Sequence, residues 1–150
     1  KVQQAPANRY LYYLTPTGFA EKSRLTTEYL SFSLYFYRAA GESCASLFDQ
    51  CERNGWQRLL LCGVSDLAEI ATLRAMGRKM TIVGYYDPAG AREQYLGKPV
   101  WSDVADAEAH DVRLLTEIAT PQQRLDELVA LADDVPLLVP AVLRLEPRRS

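Results

Sequence analysis

Histidine is almost absent: His110 is the only one in 150 residues. That excludes a His-rich zinc site and leaves a histidine-based catalytic triad a single possible base. Cysteine is scarce and odd in number (Cys44, Cys51 and Cys62), which argues against a disulfide framework and for a reducing compartment. Long apolar runs are missing as well. No stretch approaches the roughly 18 residues needed to span a bilayer, and no apolar segment of the secretory kind follows the first charge. Nor does one sign of charge dominate. Residues 1–55 carry six basic and five acidic side chains, residues 56–150 carry eleven and fourteen, and the net charge is −2. Neither part is a basic surface for nonspecific nucleic-acid binding. What is present, 48% hydrophobic and 24% charged residues, belongs to a folded chain. The composition predicts a soluble cytoplasmic protein without a membrane partner.

Tyr10-Leu11-Tyr12-Tyr13-Leu14 follows a turn-like Ala5-Pro6-Ala7-Asn8 and reads as the second strand of a hairpin. Thr15 then caps a helix with Pro16 in its first turn, and the next strong breaker is Gly55. The predicted helix runs from Pro16 to about Asn54, bent or weakened at Gly41. Leu25, Tyr29, Phe32, Phe36, Ala40, Leu47 and Cys51 form an aromatic stripe along it, with one long gap after Ala40. A helix of this length spans nearly 60 Å at about 1.5 Å per residue, more than a domain of this size covers. The stripe either packs on the chain's own C-terminal domain or meets a second chain; self-association, a homodimer through the helix, is the expectation.

After Gly55 the pattern changes. Arg58–Cys62 is a strand buried on both faces, followed by a helix from about Asp66 to Met76. Strands follow at Met80–Tyr86, Gly97–Trp101, Asp111–Thr116 and Val135–Val139, with a helix from Pro121 to about Ala132 before the last. Strands alternating with helices predict an α/β fold, a Rossmann-like parallel sheet of about five strands. The division expected is 1–55 and 56–150, with Glu146 to Ser150 as a frayed tail.

Gly63-Val64-Ser65-Asp66-Leu67-Ala68 stands where the Rossmann glycine loop stands. Gly63 fills the tight-turn role and Ala68 the close-packing role, while Ser65 replaces the second glycine and offers a hydroxyl to a phosphate. Asp66 places a negative charge at the helix start, where it competes with an anion. Asp87 ends the second strand, where an acid often holds ribose hydroxyls, although Asp87-Pro88-Ala89-Gly90 is also a good turn. With Thr116 at the end of the fourth strand, these residues form the candidate site for a nucleotide, nucleotide-sugar or CoA. Cys44 and Cys51, seven apart on one helix, are too distant for a bond. Cys62 reads as a buried strand residue, Glu117 as a solvated carboxylate near the crevice and His110 as surface. No nucleophile–base pair or metal cluster is visible, so no enzyme activity is expected.

Two resemblances add to this reading. Tyr12 to Thr26, with Leu14-Thr15-Pro16-Thr17-Gly18 ahead of Glu21-Lys22, resembles the passage from wing to C-terminal helix in MarR-type winged-helix regulators, in particular the exopolysaccharide-associated group. It implies a wing strand, a dimerisation helix, and Lys1, Asn8 and Arg9 as wing residues near DNA; loop residues without a DNA role are the alternative. Residues 56–143 resemble Rossmann-type domains that bind CoA or nucleotide-sugars in sugar-modifying enzymes, through Gly63, Ala68, Asp87, Gly97, Pro99 and Val100. Together they imply the dimerising, effector-sensing C-terminal part of a bacterial transcription regulator whose DNA-recognition helix lies outside this chain. A specific duplex would then bind only the full-length protein. The alternatives are a nucleotide-sugar or CoA-binding module of a carbohydrate-modifying enzyme, and a structural adaptor.

Overall fold

A computed structural model of the chain describes residues 16–145, with the side chain of Glu28 and those from Leu30 onward. The wing strand, Lys1, Asn8, Arg9, Leu25, Tyr29 and the tail after Leu145 lie outside the residues or side chains described. The first helix, α1, spans Pro16–Asn54 and ends at Gly55, whose positive φ of 74° reverses the chain. The fold is α/β and Rossmann-like. Strands β1 (Arg58–Cys62), β2 (Thr81–Tyr86), β3 (Gln94–Tyr95), β4 (Lys98–Trp101), β5 (Val112–Leu115) and β6 (Leu137–Leu138) form one sheet in the order β3-β4-β2-β1-β5-β6. Every pairing is parallel except β3 with β4, so the sheet is mixed and has six strands rather than five. Helices α2 (Asp66–Ala75) and α3 (Pro121–Ala130) supply two of the crossovers.

Two compact units divide between Tyr37 and Arg38, eighteen residues before the expected boundary. The reason is packing. Ala40, Cys44, Phe48 and Cys51 of α1 are fully buried and belong to the second unit's core. Cys44 closes the gap seen in the sequence stripe, and Phe48 replaces the half-buried Leu47 on the buried face. Gly41 does not break α1. A Cβ there would lie 2.5 Å from the Arg74 guanidinium, so the glycine lets that α2 side chain lie across the helix. Arg78 fastens the same surface, pairing with Asp49 (2.8 Å) and Glu52 (2.9 Å) with its guanidinium 5.8 Å from the Phe48 ring.

In the first unit, α1 leaves Leu30, Phe32, Leu34, Tyr35 and Tyr37 more than half exposed. At about 100° per residue, Leu30, Leu34 and Tyr37 share one side and Phe32 lies nearly opposite. The helix is apolar on both sides.

In the second unit, β1 is the centre of the sheet, and Leu59 to Cys62 have no exposure. One face of the sheet meets α2, where the Tyr85 hydroxyl is 2.8 Å from the Thr72 hydroxyl. Leu60, Cys62, Val83 and Leu115 pack with Leu125 and Leu128 of α3. Asp111 pins the amino end of β1 by accepting from the N–H groups of Gln57 and Arg58. Nearby, buried Arg113 makes a two-point pair with Asp133 and donates from Nε to His110 Nε2 (3.0 Å). His110 is therefore half-buried rather than surface, and its Nδ1–H donates to Glu108 O. Among the described residues no helix is long and apolar enough to cross a membrane.

Candidate functional site

The strand order reverses at β1: the chain leaves it towards β2 and β4 and returns to β5 on its other side. In open α/β sheets ligands bind outside the carboxyl ends of the strands at such a point. Here that point holds the loop after β1 and the end of β5. Gly63 has φ of 136°, and a Cβ there would lie 2.5 Å from the backbone nitrogen of Glu117. Glycine is thus required for two stretches of backbone to approach, not for a pyrophosphate to do so.

Hydrogen bonds lock this contact. Thr116 is fully buried, and its hydroxyl donates to Gly63 O at 2.6 Å. Ser65 donates its hydroxyl hydrogen to Thr116 O and accepts from Ala68 N–H as the cap of α2. The Ser65 hydroxyl that the sequence offers to a phosphate and the Thr116 hydroxyl are both spent on the protein itself. Ala68 is buried with no exposure, as its close-packing role requires. Asp66 is exposed in the first turn of α2 together with Glu69, which sets two negative charges against an anion. Asp87 accepts from Ala89 N–H at 3.1 Å within the turn that the Asp-Pro sequence suggested. Gly63, Ser65, Ala68 and Thr116 are therefore brought together, while Asp87 ends a different strand in its own turn. Replacing Thr116 with valine should strand the Gly63 carbonyl and cost about 1–3 kcal/mol in chemical denaturation, with Thr116→Ser close to wild type.

Across the carboxyl ends lies a residue that the sequence reading passed over. Arg124, in α3, is only 7% exposed. Its Nη2 pairs with Glu117 Oε1 at 3.0 Å, and its guanidinium lies 5.5 Å from the Tyr86 ring. Glu117 also accepts from Ala119 N–H, so this carboxylate is held and mostly buried rather than solvated. Nε of Arg124 is 3.2 Å from Glu127 Oε2 but off the line of a hydrogen bond, and Nη1 has no partner. Burial and the Glu127 charge push the Tyr86 hydroxyl pKa up. The available signal was positional: Arg124 stands beside Leu125 and Leu128 on the stripe of α3 that faces the core.

All three cysteines are fully buried. Burial pushes the Cys62 thiol up to about 12, and Cys44 and Cys51 up to about 11. In the folded protein at pH 8, none of the three should react with a disulfide reagent on the timescale of free thiol, and denaturant should release all three. Among the described residues no group of His, Cys, Asp and Glu is placed to hold a metal ion. An apolar cavity of about 590 Å³ lies between α3 and β6, lined by Leu125, Val129, Leu137, Val139 and Pro140, and not at the glycine loop.

Compared with known proteins, the chain has no significant match to any family model, curated protein or solved structure. Its class is defined by its fold: a Rossmann-like α/β protein carrying a long helix, with a glycine loop closed upon the end of β5.

Proposed function

We propose that this chain is the dimerising, effector-responsive region of a bacterial winged-helix transcription regulator that works in the cytoplasm. The observation that carries the reading is the exposure of five large apolar side chains on both sides of α1, from Leu30 to Tyr37. A helix apolar all round is stable when surrounded. Each of these side chains has on the order of 200 Å² of surface, more than half of it exposed, so a dimer that encloses this stretch on both sides would cover roughly 500 Å² of them per chain. That is most of the roughly 800 Å² per partner in a standard stable interface. In the regulator, Lys1, Asn8 and Arg9 would be wing residues, and DNA recognition would belong to the full-length protein. A small-molecule effector can act on such a device only by favouring one arrangement of the dimer.

The rival reading, a nucleotide-sugar or CoA module, loses the hydroxyls of Ser65 and Thr116 as phosphate donors. Light scattering after gel filtration tests the dimer. The expected mass is twice the 16.9 kDa of one chain. A single-chain mass at micromolar concentration would refute the proposal.

A further inference from the structure

We propose that the amino end of α3 is a binding site for the oxyanion of a small carboxylated or phosphorylated molecule, with Arg124 as its receptor and Glu127 as a built-in competitor. Two independent features meet there. The first is a difference between the two helices that begin at the carboxyl end of the sheet. The α2 start is capped by Ser65 and carries Asp66 and Glu69 in its first turn. The α3 start has no side-chain cap from Thr120 and no acidic residue in its first turn. Such a start gathers unpaired N–H donors and partial positive charge, which favour an anion.

The second feature is Arg124 itself. Helical side chains lean towards the amino end, and the Nη2 contact with Glu117, which precedes the helix, places the guanidinium there. Nη1 is buried without an acceptor, and Nε meets Glu127 only through misaligned charge. A buried guanidinium with an unmet N–H is costly and is expected to find an acceptor. Glu117 is held by Arg124 Nη2 and Ala119 N–H, and neither of its oxygens makes a hydrogen bond with Nη1. Glu127 is different. Its side chain is 39% exposed, and it reaches Arg124 from one turn along the same helix. Turned into solvent, it uncovers the guanidinium and withdraws a charge that opposes the ligand. Carboxylate and phosphate oxygens share the charge and acceptor geometry that Nη1 and the helix start demand.

The site is local to α3, so its occupancy does not depend on the dimer; that the bound anion serves as a signal does rest on the regulatory reading. The test follows the thermal midpoint of wild type, Glu127→Gln and Arg124→Lys at rising inorganic phosphate or acetate, with ionic strength fixed. Glu127→Gln should bind one of these anions about tenfold more tightly than wild type, since a competing negative charge is gone. A response to phosphate alone identifies a phosphorylated ligand, and a response to acetate alone a carboxylated one. Arg124→Lys should lose the response. If that variant does not fold, Glu127→Gln against wild type decides by itself. Identical anion-induced shifts for these two in both anions, or an undiminished response in folded Arg124→Lys, would overturn the site.

Discussion

Gly63→Ala should destabilise the second unit by about 3–5 kcal/mol, the largest single-residue effect expected in its sheet. Two costs add. The backbone at φ of 136° disfavours any L side chain, and the new methyl would stand 2.5–2.7 Å from backbone atoms of Thr116 and Glu117, which cannot swing aside as a side chain would. Gly77 separates the two contributions. It also has positive φ, 84°, yet a Cβ there meets nothing within 4 Å, so Gly77→Ala should cost only about 1–2 kcal/mol. Urea denaturation of both variants measures the difference. Equal losses would mean that the Gly63 contact is soft and the loop able to open.

The second large effect concerns association. Leu34→Glu places a carboxylate on the side of α1 shared with Leu30 and Tyr37, where the leucine is 64% exposed. If the helix is the interface, burying that charge without a counter-ion should weaken the dimer at least about 100-fold, near 3 kcal/mol, with little change in the monomer's stability. Phe32→Glu, nearly opposite on the helix, tells a one-sided seam from an enclosed helix. Weakening by both variants means that both sides are covered. Lys98→Glu, in the β3–β4 hairpin, should leave the association constant unchanged. Sedimentation across a concentration series reads all three. An unaltered constant for Leu34→Glu and Phe32→Glu together would remove α1 from the interface.

Much of the architecture was legible because punctuation and periodicity agree. Pro16 and Gly55 bracket α1, and the continuous run Leu59–Cys62 marks a strand buried on both faces. The hairpin was missed for a specific reason. Leu96 and Gly97 both have positive φ, 49° and 78°, as a two-residue turn of the primed type requires. Leucine occupies the position where asparagine or aspartate would have announced the turn, and Gln94–Tyr95 is too short to show alternation. The last strand is shorter than Val135–Val139 because Pro136 and Pro140 bracket Leu137–Leu138. At the site, the glycine loop was visible in sequence but its use was not. Thr116 lies 53 residues from the carbonyl it serves, and only the fold reveals that the two hydroxyls face inward. Arg124 was hidden because a single arginine early in a helix resembles an ordinary surface residue until Glu117 and Tyr86 are brought to it.

The two short outer strands have a consequence for how copies of this protein can meet. β3 and β6 offer two residues each, too few for a docking strand to pair along. Ribbon-by-ribbon growth into cross-β fibres is thereby discouraged at both margins of the sheet. Concentrated solutions of the folded protein should stay free of thioflavin-positive material, which leaves side-chain burial as the main route by which one copy can recruit another.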